Sequence, residues 1–153
     1  MIEVRTEAPD SLVAVRLVEA MVAEMETLYE LEPGSGLGLS APPSDFSPPG
    51  GAFVVVYVDG KPVAGGGIKQ DEDGVAEIKR MYVAPEARGR GLGRRLLEAL
   101  EETARELGYA RIRLDTGPRQ PLAQAMYERS GYHPIENYNG NPQAAFWGEK
   151  VLR

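Results

Sequence analysis

Four arginines and three glycines are interleaved in the stretch RGRGLGRR, residues 88–95. The leucines that follow recur at helical spacing, so these arginines stand at the start of a predicted helix. A helix N-terminus carries a partial positive charge, and a cation placed there is unfavourable by roughly 0.3–1 kcal/mol unless an anion binds. Glycine lets the backbone approach such an anion, and guanidinium groups donate in a fork to phosphate oxygens. The stretch therefore predicts a phosphate-binding loop.

The glycine spacing separates this loop from two common phosphate-binding motifs. It lacks the Lys-Ser or Lys-Thr pair of a P-loop. Arg94 stands where the last glycine of a dinucleotide-binding fingerprint belongs, and the preceding strands are predicted to be antiparallel. What remains is R-x-x-G-x-G at Arg88, Gly91 and Gly93. A second glycine-rich segment, GSGLGL at 34–39, follows a helix rather than a strand, so we do not assign it to phosphate.

Hydrophobic periodicity predicts the elements that must hold the loop in place. The predicted order is strand 2–6, helix 11–31, strands 51–58, 61–70 and 75–85, helix 92–107, strand 110–116, helix 120–132, and strands 132–135 and 143–152. Residues 32–51 are rich in Pro, Gly and Ser, which indicates either a disordered linker or a functional loop. The pattern predicts one α+β domain over residues 1–153, a mixed sheet with helices on its faces.

Composition excludes several kinds of site. The chain of 153 residues has no cysteine and a single histidine, His133, which excludes a disulfide framework, a cysteine nucleophile and a multi-histidine metal site. The longest apolar run, residues 52–58, is far shorter than the roughly 20 residues of a membrane helix. We therefore expect a soluble, cytoplasmic protein without a metal or a membrane partner. The net charge of −6 argues against nucleic acid as a partner and is compatible with a cationic substrate.

Three segments together resemble the GCN5-related N-acetyltransferase (GNAT) superfamily. They are EIKRMYVAPEARGRGLGRRLLEAL at 77–100, RIRLDTG at 111–117 and AMYERSGYHPI at 125–135. The resemblance implies a mixed, mostly antiparallel sheet of about six or seven strands, flanked by about four helices. It also implies acetyl-CoA as cosubstrate and an amine as acceptor, and it is compatible with a homodimer.

The resemblance further implies which residues bind coenzyme A. Its diphosphate is expected on backbone N–H groups of the loop and helix start, at Arg88, Gly89, Arg90, Gly91, Leu92, Gly93 and Arg94. Its pantetheine amides are expected on the exposed edge of the preceding strand, which bulges and parts from its parallel neighbour, at Met81, Tyr82 and Val83. Thr116 and Gln120 are further expected contacts, although Gln120-Pro121 stands where many relatives carry an Asn.

Acetyl transfer to an amine also needs a base, an oxyanion donor and a partner for the leaving thiolate. A lysine-like amine has a pKa of about 10.4 and is almost fully protonated at pH 7. Glu77 is the predicted general base, directly or through water; the alternative is a solvent-facing strand carboxylate paired with Lys79 or with a cross-strand neighbour. A free backbone N–H near Met81 or Tyr82 would bind the oxyanion. Tyr127 is predicted to hydrogen-bond the thiolate, and the alternative is a core tyrosine.

Three functions remain open from the sequence. The first is direct transfer from acetyl-CoA to a small primary amine in a ternary complex, because no cysteine could carry the acetyl group. The second is a non-catalytic sensor or interaction module that binds coenzyme A. The third is a nucleic-acid-binding domain that uses the arginine cluster. Tyr29, Glu30 and Tyr138 are candidate acceptor contacts that could equally be ordinary surface residues.

Overall fold

In a computed structural model, which describes residues 1–34 and 41–153, the chain folds around one mixed sheet. The strands are β1 (Ile2–Glu7), β2 (Ala52–Val58), β3 (Lys61–Glu72), β4 (Val75–Val83), β5 (Arg111–Thr116), β6 (His133–Pro134) and β7 (Phe146–Val151). The α-helices are α1 (Leu12–Leu28), α2 (Leu92–Glu106) and α3 (Pro121–Arg129). Two short 3-10 helices cover Pro43–Phe46 and Pro85–Ala87.

The sheet has the spatial order β1-β2-β3-β4-β5-β7-β6. Only β4 and β5 run parallel among these neighbours; the other pairs are antiparallel. The predicted mixed, mostly antiparallel sheet and the order of its elements are confirmed. Part of the 32–51 segment is ordered as a 3-10 helix, whereas residues 35–40, with most of the GSGLGL stretch, lie outside the described residues.

Helices cover both faces of the sheet. One face of the sheet packs against α2. The leucines of this helix recur every three or four residues, so they lie on one side of it and are buried against the sheet. They are Leu92, Leu96, Leu97 and Leu100. On the other face, Ala14 and Leu17 of α1 pack on Phe53, Val55 and Tyr57. Full burial stabilises each large apolar side chain by roughly 1.5–3 kcal/mol. Within the two described segments, no helix has the length and apolar character needed to cross a membrane.

The centre of the sheet opens where β4 leaves β5. Their parallel pairing joins Val75–Glu77 to Arg111–Arg113 and goes no further. Beyond it, Arg80 and Met81 of β4 together stand opposite Gly66 of β3, which is a β-bulge. Arg80 has a φ of +60°, a left-handed conformation that is rare for a residue with a large side chain. The expected bulge and parting of the strands are both present.

Phe46 fixes the sheet beside this bulge. It ends the first 3-10 helix and is fully buried, with its ring directly over Gly67 of β3. The Arg80 guanidinium lies 4.7 Å from the centre of the same ring, and its Nη2 donates a hydrogen bond to the Ala41 carbonyl. Glycine is therefore required at position 67, because the Phe46 ring leaves no room for a Cβ. The same ring packs against the guanidinium of Arg80 in the bulge.

We expect Gly67→Ala to destabilise the fold, because a Cβ at this position would overlap the Phe46 ring. Overpacking of this kind costs about 1–3 kcal/mol, and each kcal/mol lowers Tm by about 2–4 °C in a chain of this size. Thermal unfolding followed by circular dichroism measures the change.

Gly50→Ala is the matched control, because its Cβ would lie 3.6 Å from the nearest atom, the Tyr109 hydroxyl. Its Tm should stay close to that of the parent chain. If Gly67→Ala were as stable as this control, the packing of Phe46 on β3 would be refuted.

Candidate active site

The gap between β4 and β5 is a cavity of about 140 Å³. A cavity of this size holds one small organic group, about as large as benzene. Its walls come from α1, β4, β5, the start of α3 and the loop before β7. The lining residues are Met21, Met25, Tyr29, Ile78, Lys79, Arg80, Met81, Leu114, Asp115, Thr116, Gly117, Gln120, Tyr127, Asn141 and Gln143.

The predicted phosphate loop forms the turn between β4 and α2. Gly89 and Gly91 have φ values of +81° and +76°, which accounts for glycine at both positions. Gly91 is the N-cap of α2; it offers no capping side chain, and the first turn carries no acidic residue. The first N–H groups of the helix, at Leu92, Gly93 and Arg94, therefore have no acceptor among residues 1–34 and 41–153. Such a terminus is suited to an anion.

The arginines of this loop differ in what they contact. Arg88 donates from Nε to the Val83 carbonyl at 3.0 Å and from Nη2 to both Glu24 oxygens at 2.6 and 2.8 Å. Its side chain therefore ties the loop to α1. Arg94 is exposed and pairs with Glu98 one turn later, at 3.1 Å. Arg90 is exposed as well.

The end of β4 presents one unpaired edge. Beyond the bulge, Tyr82 and Val83 still pair with Gly65 and Ala64 of β3. On the other side, β5 has already parted, so no described strand pairs with the Met81–Val83 edge. An unpaired edge offers N–H and C=O groups to an extended ligand. Met81 also lines the cavity.

Tyr127 projects from α3 into the cavity. Its side chain is 7% exposed, and its hydroxyl donates only to the Met81 thioether, at 3.6 Å. Burial and, to a smaller extent, the charge of Asp115 raise the pKa of Tyr127 to about 12. The phenol is therefore neutral at pH 7, with a hydrogen-bond donor that a sulfur atom satisfies only weakly.

Gln120 and Thr116 lie together where β5 passes into α3. The Gln120 Oε1 accepts from the Tyr29 hydroxyl at 3.2 Å, the Gly117 amide at 3.1 Å and the Thr116 hydroxyl at 3.4 Å. The Tyr29 oxygen fills the space where a Cβ of Gly117 would lie, so glycine is required there. These contacts connect the C-terminal end of α1 to the cavity wall.

Glu77 lies beside the cavity and is covered by the loop that precedes β7. It is 3% exposed, and its Oε2 accepts from the Tyr138 hydroxyl at 2.7 Å and the Asn139 amide at 3.0 Å. Lys79 and Lys69 lie 3.4 and 3.8 Å from its two oxygens. Burial and the charge of Glu77 raise the pKa of Tyr138, which keeps this phenol protonated as a donor.

Asp115, which sequence reasoning missed, is the carboxylate that faces the cavity. Its Oδ2 accepts from Asn139 and Asn141 and lies 3.4 Å from the Lys79 ammonium. Asn139 and Lys79 both also contact Glu77, so the two carboxylates form one connected group. The only sequence signal was an acidic residue among the alternating apolar positions of RIRLDT.

Comparisons of the sequence and of the fold with known proteins indicate the same family. Residues 16–132 match the model of the acetyltransferase (GNAT) family. The chain is 34% identical over 155 aligned residues to the IAA acetyltransferase of Azospirillum brasilense, covering 99% of this chain and 98% of that protein.

Solved structures agree with the sequence comparison. A Klebsiella pneumoniae protein assigned to the acyl-CoA N-acyltransferases is 31% identical, with a TM-score of 0.79 over 100% of this chain and 99% of that one. The PaiA N-acetyltransferase of Thermoplasma acidophilum, solved in complex with coenzyme A, has a TM-score of 0.76 over 99% of each chain. At 18% identity, this second likeness shows the fold alone.

The family match spans most of the chain, and a relative above 30% identity aligns with nearly all of it. The family expected from the three sequence segments is thus confirmed, together with its fold. This chain belongs to the GNAT family of acetyltransferases and is an acyltransferase.

Proposed function

We propose that the protein transfers the acetyl group of acetyl-CoA to the primary amine of a small acceptor, by direct attack in a ternary complex. One observation carries the proposal. The cleft between β4 and β5 has a helix terminus with free N–H groups at one end and the connected carboxylates Asp115 and Glu77 at the other. A cosubstrate that joins a diphosphate to a thioester through an extended arm fits this layout. The acetyltransferases among the relatives support the choice of reaction.

Coenzyme A would bind mainly through the backbone. The free N–H groups at the start of α2 would receive the diphosphate, with Gly89 and Gly91 allowing its close approach. Arg90 and Arg94 are exposed beside these groups and would add positive charge, whereas Arg88 is engaged with Glu24 and fixes the shape of the loop. The pantetheine amides would pair with the open edge of β4 at Met81–Val83, and Thr116 and Gln120 would face them across the cleft.

Direct attack forms a C–N bond and breaks the C–S bond of the thioester. The bound ammonium must lose one proton before attack, and the connected carboxylates Asp115 and Glu77 would accept it and release it to solvent. The nitrogen loses a second proton as the tetrahedral intermediate collapses. Asp115 faces the cavity and would meet the amine, while Glu77 lies behind it, linked by the Asn139 amide, which donates a hydrogen bond to each carboxylate. The oxyanion of the tetrahedral intermediate would be bound by a free backbone N–H at the bulge, near Met81 or Tyr82.

Tyr127 would stabilise the leaving thiolate. Its phenol stays protonated at pH 7, since its pKa is raised to about 12. A thiol has a pKa of about 8.5, so full proton transfer from this phenol is unfavourable. A hydrogen bond that strengthens as charge develops on sulfur is therefore its expected contribution. The thiolate is then protonated by the second proton, which the nitrogen loses as the tetrahedral intermediate collapses.

Binding and turnover together test the proposal. Isothermal titration calorimetry should show acetyl-CoA binding, and a thiol-release assay over a panel of small amines should show product coenzyme A. Binding without turnover of any amine would favour a coenzyme A sensor. Absence of coenzyme binding would refute the proposal.

We expect Gly91→Asp to bind coenzyme A about 10-fold more weakly than Gly91→Asn, because a carboxylate would repel the diphosphate. Both side chains tolerate the left-handed backbone at this position, so the pair differs mainly in charge. Without ligand, Gly91→Asp should be at least as stable as Gly91→Asn, since an anion favours a helix N-terminus. Calorimetry and thermal unfolding measure the two effects, and equal affinities would place the diphosphate elsewhere.

Tyr127→Phe should lower kcat by about 10- to 100-fold, the value of one hydrogen bond to a charged group. KM for acetyl-CoA and Tm should change little, because in the free protein the hydroxyl bonds only to a thioether. Steady-state kinetics and thermal unfolding check this.

Tyr132→Phe is the control for loss of a buried phenol oxygen. Its hydroxyl donates to Glu101 at 2.8 Å in the core, so this variant should lose stability while keeping kcat. A Tyr127→Phe enzyme with unchanged kcat would remove that residue from the mechanism.

Asp115→Asn and Glu77→Gln should each lower kcat/KM by about 100-fold at pH 7, the usual contribution of a general base. The deficit should shrink as the pH rises, because the neutral fraction of the amine grows about tenfold per pH unit below its own pKa. Rate profiles from pH 6 to about pH 10 would show this. Asp73→Asn, in the exposed β3–β4 turn, is the matched control. If the ratio of kcat/KM between the parent enzyme and each variant were constant over this pH range, the base assignment would be contradicted.

A further inference from the structure

We infer that the acceptor carries a carboxylate as well as its amine, and that Arg80 binds that carboxylate. The inference rests on the proposed acetyl transfer and narrows its substrate to amino acids and other amines that bear an acid group. Its foundation is Arg80, a half-buried residue that lines the acceptor cavity and whose guanidinium has no carboxylate partner in the described part of the chain.

Arg80 is held at the cavity wall by an unusual backbone. It is one of three non-glycine residues with positive φ in the described segments, and the other two, Glu30 and Asp59, are in exposed turns. A left-handed residue inside a sheet is unfavourable by roughly 1–3 kcal/mol. The Phe46 ring and the Ala41 carbonyl hold the guanidinium in place. The fold therefore maintains a strained backbone conformation at a residue of the cavity wall.

The other cations beside the cavity, Lys79 and Lys69, already have carboxylate partners. Lys79 lies 3.4 Å from both Glu77 and Asp115, and Lys69 approaches Glu77 at 3.8 Å. Arg80 forms no ion pair with a carboxylate in residues 1–34 and 41–153; Asp45 is near enough only for a weaker attraction.

One donor of Arg80 is also unsatisfied. Its Nε is buried and has no hydrogen-bond partner in the described residues. Burial lowers the pKa of Arg80, as expected for a cation removed from water. A desolvated guanidinium without a counterion is unfavourable, and a carboxylate bound in the cavity would compensate its charge. A ligand carboxylate would therefore supply what the chain does not.

Asp115 stands on the same cavity and would receive the ammonium group of the acceptor before its deprotonation. A cation at one point of the wall and an anion at another match a molecule that bears both charges. A simple alkylamine would satisfy Asp115 and leave Arg80 unpaired. The structure therefore favours an amino acid over the amine that lacks its carboxylate.

The test compares each of several amino acids with the amine formed by its decarboxylation, such as phenylalanine with phenethylamine and lysine with cadaverine. kcat/KM is measured with acetyl-CoA, and binding to the coenzyme A complex is measured by calorimetry. We expect at least one pair in which the amino acid is preferred by about 10- to 100-fold, the range for a hydrogen bond to a charged group.

Arg80→Asn should abolish this preference, because Asn tolerates the left-handed backbone but lacks the charge. It should raise KM for the amino acid by about 10- to 100-fold and leave KM for acetyl-CoA unchanged. Arg80→Lys should retain part of the preference. Arg105→Gln removes a positive charge at the far end of α2 and should retain all of it.

The outcomes separate this inference from the proposed function. Equal kcat/KM within every pair, a preference for the decarboxylated amines, or a preference that survives in Arg80→Asn would each overturn the inference while acetyl transfer stands. If coenzyme A binds and no amino acid binds or reacts, the inference is overturned as well. If Arg80→Asn does not fold, Arg80→Lys and the parental comparison decide the question. Failure of coenzyme A to bind would instead overturn the proposed function.

Discussion

The β-bulge at Arg80 is the constraint on which the rest of the site depends. One extra residue in β4 turns the strand away from its parallel neighbour after three paired positions, and the cleft exists because the two strands part there. The same bulge exposes the edge of β4 beyond it and carries Arg80 to the cavity wall.

Contacts from several elements hold the bulge and the segments around it. Phe46 fills the space over Gly67 and supports the arginine, while α1 reaches the phosphate loop through the Glu24–Arg88 ion pair at 2.6 Å. The C-terminal end of α1 is fixed through the hydrogen bond between Tyr29 and Gln120. One helix therefore borders both the proposed coenzyme site and the acceptor cavity. The buried carboxylates at the far side are in turn ordered by Asn139, which contacts both.

Local sequence signals were sufficient for the elements and for the glycine turn that precedes α2. Helical leucine spacing and glycines with positive φ are short-range features, so α2 and the turn before it could be read directly. Asn139 could not be assigned in this way, because its contact with Glu77 spans 62 positions in a polar loop. Arg88 was read as a phosphate ligand, and its partner Glu24 lies 64 positions away. The left-handed conformation of Arg80 accompanies the register shift between β3 and β4. An arginine at this position gives no sign of such a shift in the sequence.

Amide chemical shifts during a titration with coenzyme A would test the central claim most directly. If the cleft opened by the bulge is the coenzyme site, the largest changes in the ¹⁵N–¹H spectrum should fall on Met81–Val83 and on Gly89–Arg94. The amides of β1 and β6, at the two edges of the sheet, should change little. Saturable binding whose shifts lie mainly outside β4 and the start of α2 would contradict the account.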